Sequence, residues 1–126
     1  MKNLILVLVG LITVNLVGCT SSGSKPLYHW GKFPEQTYLL MVEPEKASVQ
    51  EQIIILERDL ERAKARNEAV PPGFYAHLGL LNLDINNMVK ATEYFKLERQ
   101  VYPESGTLMN RLLHKITGQS DTGSTP

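Results

Sequence analysis

Apolar residues recur at helical spacing through residues 71–103 and predict two antiparallel helices. The pair Pro71–Pro72 suits a first helical turn, where a missing N–H costs nothing. The pair Asn86–Asn87 predicts the turn between the helices, because asparagine tolerates the left-handed conformation common at helix ends. A second helix then runs from about Met88 until Pro103 ends it. The apolar face of the first helix is formed by Leu78, Leu80, Leu81, Leu83 and Ile85.

A longer amphipathic helix is predicted from Ser48 to Asn67. Its apolar stripe consists of Val49, Ile53, Leu56, Leu60 and Ala63, at alternating spacings of four and three. We expect this stripe to pack against the hairpin; a coiled coil is the alternative, although the run is short for one. The opposite side is charged and includes Asp59, so we predict a solvated face with helix-stabilising pairs such as Asp59–Arg62 and Glu61–Lys64.

Two shorter helices are predicted on either side of these elements. The first runs from Pro34 to about Met41, and the second from Glu104 to about Thr117, with Ser105 as its cap. The second should cover the open face of the hairpin, as terminal helices of repeat arrays do. Residues 27–117 therefore predict an all-α domain of four to five helices, followed by a disordered tail at 118–126.

The first 18 residues have the features of a signal peptide. Lys2 supplies the positive charge, and the apolar run from Leu4 to Val17 is too short for a comfortable membrane-spanning helix. The run ends in Leu-Val-Gly-Cys, which resembles a bacterial lipobox and predicts lipid attachment at Cys19. A plain secretory signal followed by a chance cysteine is the alternative.

Lipidation at Cys19 would leave residues 19–26 as a flexible tether before the folded domain. Acyl chains provide stable membrane anchoring when two or more are attached. Thr20 follows the cysteine, where an aspartate would indicate retention at the inner membrane. By resemblance to sorted lipoproteins, we expect the periplasmic face of the bacterial outer membrane.

Aromatic residues are concentrated just after the tether. The segment contains Tyr28, Trp30, Phe33 and Tyr38. Two interpretations are open: the rings complete the core by packing on the hairpin, or they form a docking patch for a partner, since tryptophan and tyrosine dominate interface hot spots.

The hairpin resembles a tetratricopeptide repeat in the spacing of Leu78–Gly79, Ala91, Phe95 and Pro103. It departs from the pattern at two positions, where Asn82 replaces an aromatic residue and Glu98 replaces a small one. We expect Gly79 to face a small residue across the hairpin, with Phe95 filling the space beside them. An ordinary helical hairpin is the alternative. The resemblance also implies a concave protein-binding face, on which Leu80, Leu83 and Asp84 would lie.

Four motifs resemble a family of small bacterial lipoproteins of unknown function, domain of unknown function 4810. They are Tyr28–Gly31, Pro71–Gly73, Ala76–Gly79 and Tyr102–Ser105. Members are typically encoded beside a lipoprotein that resembles the curli secretion channel protein. The resemblance implies an accessory role in an envelope assembly or export complex, with such a lipoprotein as a partner, and it implies no catalytic residues.

Composition gives no indication of catalysis or nucleic-acid binding. Thirteen basic and thirteen acidic residues leave no net charge. The three histidines lie in different segments, and the sequence contains no common metal or phosphate-binding motif. Asp84 and Glu98 have no recognisable partner pattern. We therefore predict a non-catalytic interaction adaptor without a cofactor or metal; a lipoprotein that binds cell-wall glycan is the alternative.

Overall fold

The computed structural model describes residues 25–118, which form five α-helices and confirm the all-α prediction. The helices are α1 (Phe33–Val42), α2 (Val49–Ala65), α3 (Phe74–Asp84), α4 (Met88–Val101) and α5 (Gly106–Thr117). Short 3₁₀ turns at Pro44–Lys46 and Pro103–Ser105 precede α2 and α5. The predicted signal peptide, Cys19, the tether up to residue 24 and the tail from residue 119 lie outside the described residues.

The hairpin of α3 and α4 starts and turns where local backbone chemistry dictates. Helix α3 begins at Phe74 rather than at the prolines, because Gly73 precedes it in a left-handed conformation with φ of 87°. Asn86 also has a positive φ, 60°, at the predicted turn, and the side chain of Asn87 caps α4 by accepting from the Lys90 N–H. The turn prediction is confirmed.

The core consists of two clusters on opposite sides of the hairpin. In the first, the stripe of α2 packs on α3, which confirms the predicted role of the long helix; its buried members are Ile53, Leu56, Leu60, Ala63, Val70, Phe74, Leu78 and Leu81. In the second, α5 packs on α4; its buried members are Ala91, Phe95, Met109 and Leu113. The predicted covering role of the last helix is therefore also confirmed.

The residue that Gly79 faces across the hairpin differs from the one expected. Gly79 faces the ring of Phe95, and a Cβ at position 79 would overlap that ring. The expectation that Gly79 faces a small residue is therefore wrong. The absent side chain makes room for the phenyl ring itself, which lies fully buried between the helices.

The segment linking α2 to α3 is tied both to the N-terminal residues and to Tyr102, which ends α4. The His29 N–H donates to the Ala69 carbonyl at 2.7 Å, within an isolated parallel bridge between Tyr28 and Ala69. The Tyr102 hydroxyl donates to the Val70 carbonyl, and burial raises the pKa of Tyr102 to about 12. This linking segment thus holds the N-terminal aromatic residues against the end of α4.

Candidate functional site

The aromatic residues after the tether form a row that leads from the core to the surface. The ring of Phe33 lies 5.2 Å from Phe74 and 5.7 Å from His77, measured between centroids. Trp30 stacks on Phe33 at 6.5 Å, and Tyr28 meets Trp30 edge-on at 6.3 Å. Phe33 is half-buried, whereas Trp30 is 51% exposed. The two interpretations of this segment therefore each describe part of the row.

Asp59 of α2 fixes the backbone beside Trp30. Its side chain accepts from the Lys32 N–H at 2.6 Å and from Arg62 at 3.1 Å. Gly31 lies against the same carboxylate with φ of 46°, and a Cβ there would overlap it. Asp59 is only 2% exposed, so its assignment to a solvated face was wrong, although the predicted Asp59–Arg62 and Glu61–Lys64 pairs are both present. A buried carboxylate needs such donors.

The other predicted partner-binding residues lie along α3. Leu80 is 42% exposed and Asp84 is exposed, while Leu83 packs partly against the second core cluster. The aromatic row meets α3 at Phe74 and His77, in its first turn, whereas Asp84 ends the helix about 15 Å further along the axis. The predicted residues thus form two separate surfaces. The aromatic patch consists of Tyr28, Trp30 and Phe33, and the α3 patch consists of Leu80, Leu83 and Asp84.

Glu98 occupies the position where the repeat pattern has a small residue, and it has a structural use. It is fully buried and accepts from the N–H groups of Gly73 at 2.7 Å and Ala76 at 3.3 Å. A carboxylate at this place satisfies free N–H groups of α3 and interacts favourably with its dipole. Ser105 donates to the same carboxylate at 3.1 Å and makes no cap bond to α5, so the capping prediction was wrong.

A shallow groove of about 390 Å³ between α2 and the hairpin was not predicted. It is lined by Glu57, Leu60, Glu61, Lys64, Tyr75, Tyr94 and Leu97. Glu57 accepts from the Tyr94 hydroxyl at 2.9 Å and from Lys90 at 2.7 Å. Burial, together with the bond to Glu57, raises the pKa of Tyr94. The pairing of Tyr94 with α2 depends on how the helices pack, which the sequence pattern does not reveal.

The described residues contain no group of three or more side chains arranged to hold a metal ion. His77 is buried against Phe33, and burial lowers its pKa to about 4, so it is neutral at pH 7. His29 lies 3.2 Å from Glu68 and joins the N-terminal segment to the α2–α3 link. These histidines serve packing and local pairing.

Within residues 25–118, each helix is too short or too polar to cross a bilayer. In comparisons with known proteins, a family model described as a domain of unknown function (DUF4810) matches residues 27–112. Neither a curated protein nor a solved structure matches the chain.

Proposed function

We propose that this chain, which belongs to the family defined by the domain of unknown function DUF4810, is a lipid-tethered, non-catalytic adaptor. In this proposal the lipid on Cys19 holds it at the periplasmic face of the bacterial outer membrane. The helical domain then binds another envelope protein of an assembly or export complex, such as a lipoprotein resembling the curli secretion channel protein.

The observation that carries the proposal is the presentation of Trp30. Its ring is 51% exposed, yet it stacks on Phe33, which is itself anchored on Phe74. Asp59 fixes the following backbone through the Lys32 N–H. A large aromatic side chain held in place before binding loses little conformational entropy on association, which is typical of interface hot spots.

The use of the buried carboxylates supports a non-catalytic role. Glu98 and Asp59 both accept hydrogen bonds from backbone N–H groups, and each makes a further bond to a neighbouring side chain. Their oxygens therefore stabilise the fold. Leu80 and Asp84, on the separate α3 patch, offer a second contact area for the same partner.

The test is site-specific photo-crosslinking in living cells, with a photoreactive phenylalanine analogue in place of Trp30. Leu108 on α5 is the matched control, because it is similarly exposed at 57% but lies outside both patches. We expect position 30 to form one main adduct with an outer-membrane lipoprotein, identified by mass spectrometry, and position 108 to form none. The Cys19→Ala variant should leave the membrane fraction and lose the adduct. Equal crosslinking at positions 30 and 108 would contradict the proposal.

Glycan binding remains a second candidate because of the groove between α2 and the hairpin. Tyr75 and Tyr94 lie there beside Glu57 and Glu61, and aromatic rings with carboxylates are typical of sugar sites. If this is the function, soluble peptidoglycan fragments should bind the protein in calorimetry. That binding should weaken in Glu61→Gln and persist in Trp30→Ala.

A further inference from the structure

Helix α1 carries large apolar residues both on the side that faces the fold and on its outer side. Its inner side, which faces the fold, is formed by Phe33, Gln36, Thr37 and Leu40. Its outer side follows the same helical spacing and is formed by Pro34, Tyr38, Met41 and Val42. On this outer side Met41 is 78% exposed, Val42 58% and Tyr38 53%. Large apolar side chains that lie together on a surface mark an interaction site, so the outer side calls for a partner surface.

The chain before α1 limits where that surface can be. Cys19 lies shortly before Tyr28, which the bridge to Ala69 fixes to the fold. At roughly 3.3–3.6 Å per residue, the intervening chain spans at most about 30 Å. A domain of this size has a radius of gyration of only about 12 Å. A lipid on Cys19 would therefore keep the start of the fold within about 30 Å of the bilayer, with α1 as the first helix after the anchor.

The chemistry of the outer side suits a lipid surface. Tyr38 combines an apolar ring with a polar tip, a combination enriched at membrane–water interfaces. The lysines that flank α1 are paired with neighbouring glutamates, Lys32 with Glu35 and Lys46 with Glu43, both at 2.7 Å. Because these charges are balanced locally, they neither repel nor strongly attract a phospholipid headgroup layer. Contact would depend on the apolar side chains.

We propose that the outer side of α1 lies on the bilayer surface, with Tyr38, Met41 and Val42 inserted among the lipid headgroups. This inference rests on the proposed lipid anchor at Cys19, and it adds an orientation to it. Trp30 stacks on Phe33, a residue of the inner side. Trp30 is not among the inserted residues, so this orientation and the proposed protein contact use different side chains.

The test uses the full chain, purified from membranes and reconstituted at low density in phosphatidylethanolamine–phosphatidylglycerol vesicles. Cys19 is the only native cysteine, and lipid would block its sulfur. A Met41→Cys substitution therefore gives a single labelling site for an environment-sensitive fluorophore. Leu108→Cys is the matched control, because this exposed apolar residue lies on α5, at the other end of the helix order. Circular dichroism checks that both variants keep their helix content.

We expect a blue-shifted label at position 41, quenched by spin-labelled lipid at least threefold more than the label at position 108. Equal quenching at the two positions, or none at position 41, would overturn the inference. A label at position 41 that is shielded only at high protein density, without lipid quenching, would indicate a second copy of the chain and would also overturn it.

Two further readouts separate this inference from the proposed function. Labelling of the parent chain, without an added cysteine, would reveal a free thiol at Cys19 and remove the anchor on which both proposals rest. Strong lipid quenching at position 41 without a protein adduct at Trp30 would leave the membrane orientation standing and contradict the adaptor.

Discussion

The first and last helices of the fold, α1 and α5, resemble each other in length but differ in how they are held. Helix α5 buries Met109 and Leu113 in the second core cluster and presents a mainly polar outer side, with Leu108 the exception. Helix α1 buries only Gln36 fully and presents three large apolar residues outward. Terminal helices of repeat arrays need a polar outer side for solubility. By that criterion α5 has the outer side of a terminal helix, whereas α1 does not.

The difference shows that the two ends of the fold are held by different kinds of contact. Helix α5 is held by the apolar burial of Met109 and Leu113. Helix α1 depends on the half-buried ring of Phe33 and on the backbone bond from Lys32 to Asp59. Such an attachment fits an element that is completed by another surface.

The largest expected effect is at Glu98, which connects the start of α3 to the turn before α5. We expect Glu98→Ala to lower the free energy of unfolding by about 4 kcal/mol, because two N–H groups lose their acceptor and the helix loses a favourable charge. Urea denaturation followed by circular dichroism measures this. Glu98→Gln keeps one acceptor oxygen and should cost roughly half as much. If Glu98→Ala is tolerated, as the small residue of the repeat pattern would suggest, the capping role is wrong.

The attachment of α5 can be broken at Met109, which is 1% exposed. Met109→Ala should destabilise the protein by about 3 kcal/mol, the usual cost of a large cavity in a core. Leu108→Ala, on the exposed side of the same helix, is the control and should change stability by less than about 0.5 kcal/mol. Similar losses of stability in the two variants would show that α5 does not pack on α4 through Met109.

The attachment of α1 should respond to pH through His77, whose ring meets Phe33. Burial lowers the pKa of His77 from 6.5 to about 4 in the folded state. Between these values the unfolded chain binds more protons, so stability is full above about pH 6.5 and is lost as the pH falls toward 4. We expect a loss of about 2 kcal/mol between pH 7 and pH 5.

The control for this titration is His77→Leu, which fills the site without a titratable group. The pH dependence between 7 and 5 should be smaller in this variant by about the same 2 kcal/mol. An unchanged slope would assign the effect to other residues. As the pH falls, a label on α1 should report detachment of its helix before a label on α5 does. This order would strengthen the contrast between the two helices.

Helical periodicity predicted most of the fold from the sequence. The stripe of α2, the turn at Asn86 and the covering role of α5 follow from patterns along a single helix or between neighbouring helices. The burial of Asp59 and Glu98 could not be predicted in this way. A carboxylate is buried only where other segments supply donors, and those donors, Lys32 N–H and Gly73 N–H, are distant in sequence.

The candidate site was predicted in part. The cluster of aromatic residues marked the segment, but their order from core to surface depends on Phe74, which the sequence does not link to Phe33. The departure at Glu98 was the available signal for the cap, since a charged residue at a small-residue position requires a specific partner. The periodicity of apolar residues does not indicate the groove at Tyr94.

The bridge between Tyr28 and Ala69 also determines the path of mechanical load. A pull on the chain before Lys25 reaches the fold first through the Lys25–Glu68 and His29–Glu68 pairs and the His29–Ala69 hydrogen bond. These contacts precede α1 in the chain and join it to the segment that follows α2. Under such tension we expect the bridge to open before the two core clusters, because one backbone hydrogen bond and two ion pairs hold it, whereas the clusters are buried.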